Sequence, residues 1–195
     1  MKSKIIATIA LALVAASAAS ALQQSPAAPR SASREPGVQH FYVTIPSISL
    51  EAASYVATEI VHARVENVRT VFPTQGVAHT IYTVRVLSAM KGDVSSTIDV
   101  TVAGAESESQ RVEVEGAPHF AFDEEVVLFL WTSPSSRETG ILGLDRGTYR
   151  VSRDDKGKRF VHGEHANGTE LNSFFDDVGN AWLRAETRIG ARKDK

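Results

Sequence analysis

Residues 116–131 read GAPHFAFDEEVVLFLW, and the fold turns on the last six of them. Val126 to Trp131 is apolar without a break and without alternation, the mark of a strand covered on both faces and so of the centre of a core. Gly116 and Pro118 break the strand before it, and Phe120 and Phe122 are spaced to alternate inward. Asp123-Glu124-Glu125 is expected to act as a charged gatekeeper, solvating the entrance to an otherwise insoluble run.

Upstream of this run the pattern has period two. Val61, Ala63 and Val65 alternate with His62, Arg64 and Glu66, and after Asn67 the apolar phase moves to Val68 and Phe72. A phase flip within one strand predicts a bulge or sharp coil, because one extra residue sends every later side chain to the other face. Pro73 to Val77 makes a turn, and a second strand follows at Thr80 to Met90, closed by Lys91-Gly92-Asp93. Ile98 to Val102 and Val112 to Val114 read as two more strands around the polar loop Glu106 to Gln110. Downstream, short strands are expected at Ile141 to Leu144, Thr148 to Val151 and Arg159 to Val161, the last pair joined through Asp154-Asp155-Lys156-Gly157. The fold class is therefore mainly β, a small antiparallel and partly open barrel spanning residues 48–168.

Two helices frame it. Ile48 to Ala57 is a short one with Ser49 as its cap. Residues 169–190 carry Leu171, Phe174, Phe175, Val178, Trp182, Ala185 and Ile189 at three- and four-residue steps, one apolar stripe expected to close an open end of the barrel. Ser173 and Asp176 resemble a capping box, and Gly179-Asn180 is a place for a kink. Residues 191–195 form a basic tail.

The amino terminus reads as an export signal. Lys2 and Lys4 precede the apolar run Ile5 to Val14, and Ala16-Ser17-Ala18 and Ala19-Ser20-Ala21 offer small-residue cleavage sites, so residues 1–21 are a signal peptide and the mature chain begins near Leu22. The run is about half of the ~20 residues a spanning helix needs, which argues against a stable membrane insertion. Residues 22–47 are expected to be a flexible leader, rich in Ser, Ala, Pro and Gln up to Gly37. The product is expected in the periplasm or outside the cell.

Signal removal takes two lysines and no acid, moving the net charge from −2 to −4. That balance argues against a general affinity for nucleic acid or anionic lipid. The chain has no cysteine, which removes disulfides, thiol nucleophiles, thiolate zinc sites and a lipidated amino-terminal cysteine together.

Two blocks carry a resemblance. TIYTVRVLSAMKGD, Thr80 to Asp93, is similar in its strand ending in Lys-Gly-Asp, and GAPHFAFDEEVVLFL, Gly116 to Leu130, in its Gly-Ala-Pro, Phe and Leu-Phe-Leu, to a set of uncharacterised exported bacterial small β-barrel proteins. Those resemble the oligonucleotide-fold architecture, with netrin-like and metalloproteinase-inhibitor-like modules as the nearest named relatives. Asp123 stands where the pattern commonly has Gly, and Ala63 where the first strand often has Gly. The inhibitors grip a catalytic zinc with an amino-terminal cysteine, which this chain lacks, so the resemblance implies the fold without that mechanism.

Residue types that could carry chemistry are few. His162-Gly163-Glu164-His165 is the one compact set of ligand types, and His162 and His165 are the metal candidates, although Gly163 and Gly168 argue against the single helix face that would make them converge. His62 falls on the polar side of its strand and His119 in a turn, both read as surface residues. Asn167-Gly168 reads as a turn. Ser88 to Lys91 has the Ser-x-x-Lys spacing but ends a strand, where that motif opens a helix. No catalytic residue and no cofactor are indicated. The expected function is an exported, non-catalytic barrel that binds a protein or cell-envelope component, the alternative being a small metal-dependent or hydrolytic enzyme.

Overall fold

A computed structural model describes residues 38–193. The expected signal peptide and the leader as far as residue 37 lie outside the described residues. The rest of the leader segment contains a strand, β1 (Val38–Phe41), which runs parallel to a later strand, Arg111–Val114. Helix α1 (Leu50–Val56) follows, and the Ser49 side chain accepts from the Ala52 N–H as its cap.

Eight strands form the main sheet. β2 (Glu59–Val71) pairs antiparallel with both β3 (His79–Lys91) and β7 (Glu125–Thr132), and β3 pairs with β4 (Thr97–Ala103). β8 (Thr139–Ile141) bridges β4 and β7, which closes β7-β2-β3-β4-β8 into a five-stranded barrel. From β7 the sheet continues outward through β9 (Thr148–Arg153), β10 (Arg159–Gly163) and β11 (Ala166–Glu170), leaving β11 as a free edge. A small second sheet has the order β1-β6-β5, with β5 at Ala105–Glu106 and β6 at Arg111–Val114. The bulge read from the phase flip is present. Val65 pairs with Val84 and Asn67 with Thr83, so Glu66 is the extra residue.

The chain alternates its side chains into two cores. Val61, Ala63, Val65, Tyr82, Val84, Val100, Val126, Leu128 and Leu130 fill the barrel, while their strand neighbours Ile60, Val127 and Phe129, with Tyr149 and Val161, face outward under helix α2 (Leu171–Lys193). Val126 through Leu130 are wholly buried because β7 serves both cores.

Several expectations change. The carboxy-terminal stripe covers the outer face of the sheet through Leu171, Phe174 and Val178, and does not close an end of the barrel. α2 is continuous through Gly179-Asn180 and starts at Leu171, so Ser173 lies inside the helix rather than at its cap. It extends to Lys193, into the segment read as a tail. Phe122 points outward at 73% exposure, unlike the buried Phe120. Asn167-Gly168 is within β11, where Gly168 forms a bulge opposite Val161 and His162, and the β10–β11 turn is made by Glu164-His165 instead.

Candidate functional site

Where β9 and β10 leave the barrel, their two faces acquire different neighbours. Tyr149, Val151 and Val161 look toward α2, and Thr148, Arg150 and His162 look the other way, into a cleft of about 570 Å³. The segment Val43–Ile45, the β6–β7 connection at Glu115-Gly116, and the 3-10 turn Leu144–Gly147 make the remaining walls. The Glu115 N–H donates to the Phe41 carbonyl at 2.9 Å and the Asp145 N–H to the Gly116 carbonyl at 2.9 Å, so the walls are tied together by backbone. Gly163 allows the close strand approach: a Cβ there would lie 2.5 Å from the Tyr149 ring and 2.9 Å from the Thr148 carbonyl oxygen.

Three charged groups of the cleft, Arg146, Arg150 and Glu164, are held in pairs. Glu164 accepts from Arg146 at 2.5 Å and from the Ser47 hydroxyl at 2.9 Å. Arg150 is paired with Glu124 and donates to the His119 carbonyl at 2.8 Å, while its guanidinium lies 5.8 Å from the Phe120 ring centre. Beside the cleft, Phe41, Tyr42 and Val43 are a run of exposed apolar side chains, with Tyr42 81% exposed.

The opposite, helix-covered face carries a buried acid. Glu125 is 7% exposed and His62 4%, and they share a 2.7 Å hydrogen bond between His62 Nε2 and Glu125 Oε1. Arg64 and Arg153 donate to Glu125 Oε2 at 3.3 and 2.5 Å. Arg159 Nε lies 2.9 Å from Oε1 without its N–H aligned for a hydrogen bond. Burial pushes the Glu125 carboxyl up, but hydrogen bonds from Arg153 and His62 outweigh it and hold the pKa below the ordinary value. Burial lowers the pKa of His62, and the attraction of Glu125 only partly offsets this while Arg159 and Arg153 lower it further. Phe175 of α2 sits edge-on to the His62 ring at 6.0 Å. Both groups were expected at the surface. Alternation along β2 assigns His62 to the face away from the barrel interior, and Glu125, read as part of a gatekeeper turn, joins it there; only α2 decides that this face is covered.

The three acids of residues 123–125 turn to arginines: Asp123 and Glu125 share Arg64, at 3.1 and 3.3 Å, and Glu124 pairs with Arg150. They do not converge on a cation.

His162 and His165 also part company. His162 Nε2 is 2.9 Å from the Ser152 hydroxyl, and His165 Nε2 is 2.8 Å from the Ile48 carbonyl. Among the described residues no group of three or more His, Asp or Glu is placed to hold a metal ion.

The Lys-Gly-Asp end of β3 has a structural role. Lys91 Nζ donates to the carbonyls of Ser54 and Tyr55 at 2.8 and 2.7 Å, where α1 ends, and lies 5.7 Å from the Trp182 ring centre in α2. Gly92 has φ +88°, and a Cβ there would lie 2.8 Å from Glu59 Cγ and 3.0 Å from the Thr58 carbonyl oxygen, so the motif packs closely as it ties both helices to the barrel. Lys91 thus directs its ammonium to the end of α1. No helix among the described residues is long and apolar enough to cross a membrane. Compared with protein-family models and with curated proteins, the chain matches none.

Proposed function

We propose that the protein is an exported, non-catalytic β-barrel module that binds a protein or a component of the cell envelope through the cleft between β9–β10 and the barrel. The observation that carries this reading is the cleft itself, about 570 Å³, beside the exposed run Phe41-Tyr42-Val43. The cleft sets two apolar side chains, Val43 and Ile45, in a largely polar lining that includes Arg146, Arg150, His162 and Glu164, and such fixed polar groups orient a ligand. Aromatic anchors beside a pocket are the usual source of binding energy at such sites. The paired state of Arg146, Arg150 and Glu164 favours orientation of a ligand over proton transfer, since each charge is already engaged.

A photo-reactive side chain at position 42 tests the binding. Cells exporting this variant should yield one discrete adduct, absent when the same group replaces Val68 on the far end of β2, and identical adducts from both positions would contradict the proposal. The export half is tested by amino-terminal sequencing, which should begin near Leu22; an intact Met1 would oppose it.

One observation favours the hydrolytic alternative: the 2.9 Å contact between Ser152 Oγ and His162 Nε2. Among the described residues no carboxylate hydrogen-bonds to His162, so the pair lacks the orienting acid that makes such a serine strongly nucleophilic. Hydrolysis of an activated ester lost in His162→Ala would promote this reading.

A further inference from the structure

We propose that the arginines around Glu125 form a binding site for a phosphate group, on the face of β9–β10 opposite the cleft and independent of it. Donor and acceptor counts carry the argument. A carboxylate offers about four lone-pair sites, and His62, Arg64, Arg153 and Arg159 crowd all of them. Each guanidinium has five N–H donors, so three of them bring far more donors than Glu125 and Asp123 can accept. Part of the surplus reaches the interior, where Arg64 Nε is buried without a hydrogen-bond partner and Arg159 Nε meets Glu125 Oε1 at 2.9 Å with its N–H out of line.

Charge points the same way. Three guanidiniums face two carboxylates, and of these Asp123 is mostly in solvent. On the other face of the sheet, Glu124 is engaged by Arg150 and Glu170 by Lys158, so neither neutralises the cluster. The side chains of Arg64, Arg153 and Arg159 are between 28% and 43% exposed, so the cluster opens to solvent although its anchor does not. Because one buried carboxylate fixes all three, an incoming oxyanion meets oriented forks and little side-chain entropy is lost on binding. A phosphate group suits it better than a carboxylate, having three or more oxygens for planar donor forks. A free phosphate and the headgroup of an anionic phospholipid present the same chemistry.

Calorimetric titration of the mature chain with inorganic phosphate at fixed ionic strength tests the site. A single-site isotherm is expected, weakened about tenfold or more by Arg153→Gln and by Arg159→Gln, as loss of a charge-assisted fork requires. Arg85→Gln, which breaks only the surface pair with Glu66, should leave it unchanged. Arg153→Lys keeps the charge where a glutamine variant fails to fold, and it should weaken binding less than glutamine does. Vesicles of phosphatidylglycerol in place of free phosphate separate the two sources: sedimentation of the wild type and not of Arg153→Gln would assign the site to a headgroup. Wild type that binds neither free phosphate nor vesicles overturns the proposal, as does binding that Arg153→Gln and Arg85→Gln affect equally.

Discussion

Glu125 keeps its charge where water scarcely reaches it, and four basic side chains make that possible. Such a cluster has a pH signature. The folded-state pKa of His62 is lowered, so below its ordinary value of 6.5 the unfolded chain takes up a proton that the folded chain resists, and stability falls as the pH drops. Glu125 is also lowered, so its contribution is present above its ordinary value of 4.5 and is lost as the pH falls through the folded-state pKa. Urea unfolding should therefore show stability declining in two stages, the first setting in below about pH 6.5 and the second below about pH 4.5. His62→Gln should remove the first stage and keep the second. A His62→Gln profile that still falls between those two values would show that some other group is responsible. None of this was legible in the strands themselves: period two in β2 assigns His62 to a face, Glu125 opens a run that does not alternate, and neither stretch says what lies over it.

At the scale of elements, α2 was legible because its stripe of seven apolar residues fits a helix and no other period. Gly179 is expected to break such a helix, yet Val178 is buried in the core under the sheet and Ala181 is buried too, and both hold it in register. Open space surrounds the position where a Cβ would be. Gly179→Ala should therefore stabilise the protein by about 0.5–1 kcal/mol in chemical denaturation, the gain expected from restricting the unfolded chain and improving helix propensity. A loss of stability would mean that the helix is strained there. The β2 bulge was equally legible, since Glu66 displaces the phase of every residue after it. The edge strands were not. β1 and β11 are short and largely polar, and VQHF or ANGTE acquires strand structure only by lying next to β6 or β10. The cleft shares that limit, for Val43, Gly116, Arg146 and His162 come from four separate connections or edges and no local pattern joins them.

For the molecule as a whole, β7 is the shared wall of two cores, and the uninterrupted run at Val126 to Leu130 follows from it. Phe129 is wholly buried and lies 5.4 Å from the Tyr149 ring centre, which in turn lies 4.7 Å from Phe174. Phe129→Ala should cost about 3–5 kcal/mol, as loss of a large buried aromatic does. A change under about 1 kcal/mol would mean that α2 is not seated on the sheet in solution. The central claim is that the opposite face, where the sheet leaves the barrel, is the recognition surface. Amide hydrogen exchange tests it most directly, measured on the protein alone and saturated with the species captured through position 42. Slowed exchange is predicted at residues 43–45, 115–116, 143–150 and 162–164, while α2 is unchanged. Unaltered exchange at those residues, or protection confined to α2, would contradict it.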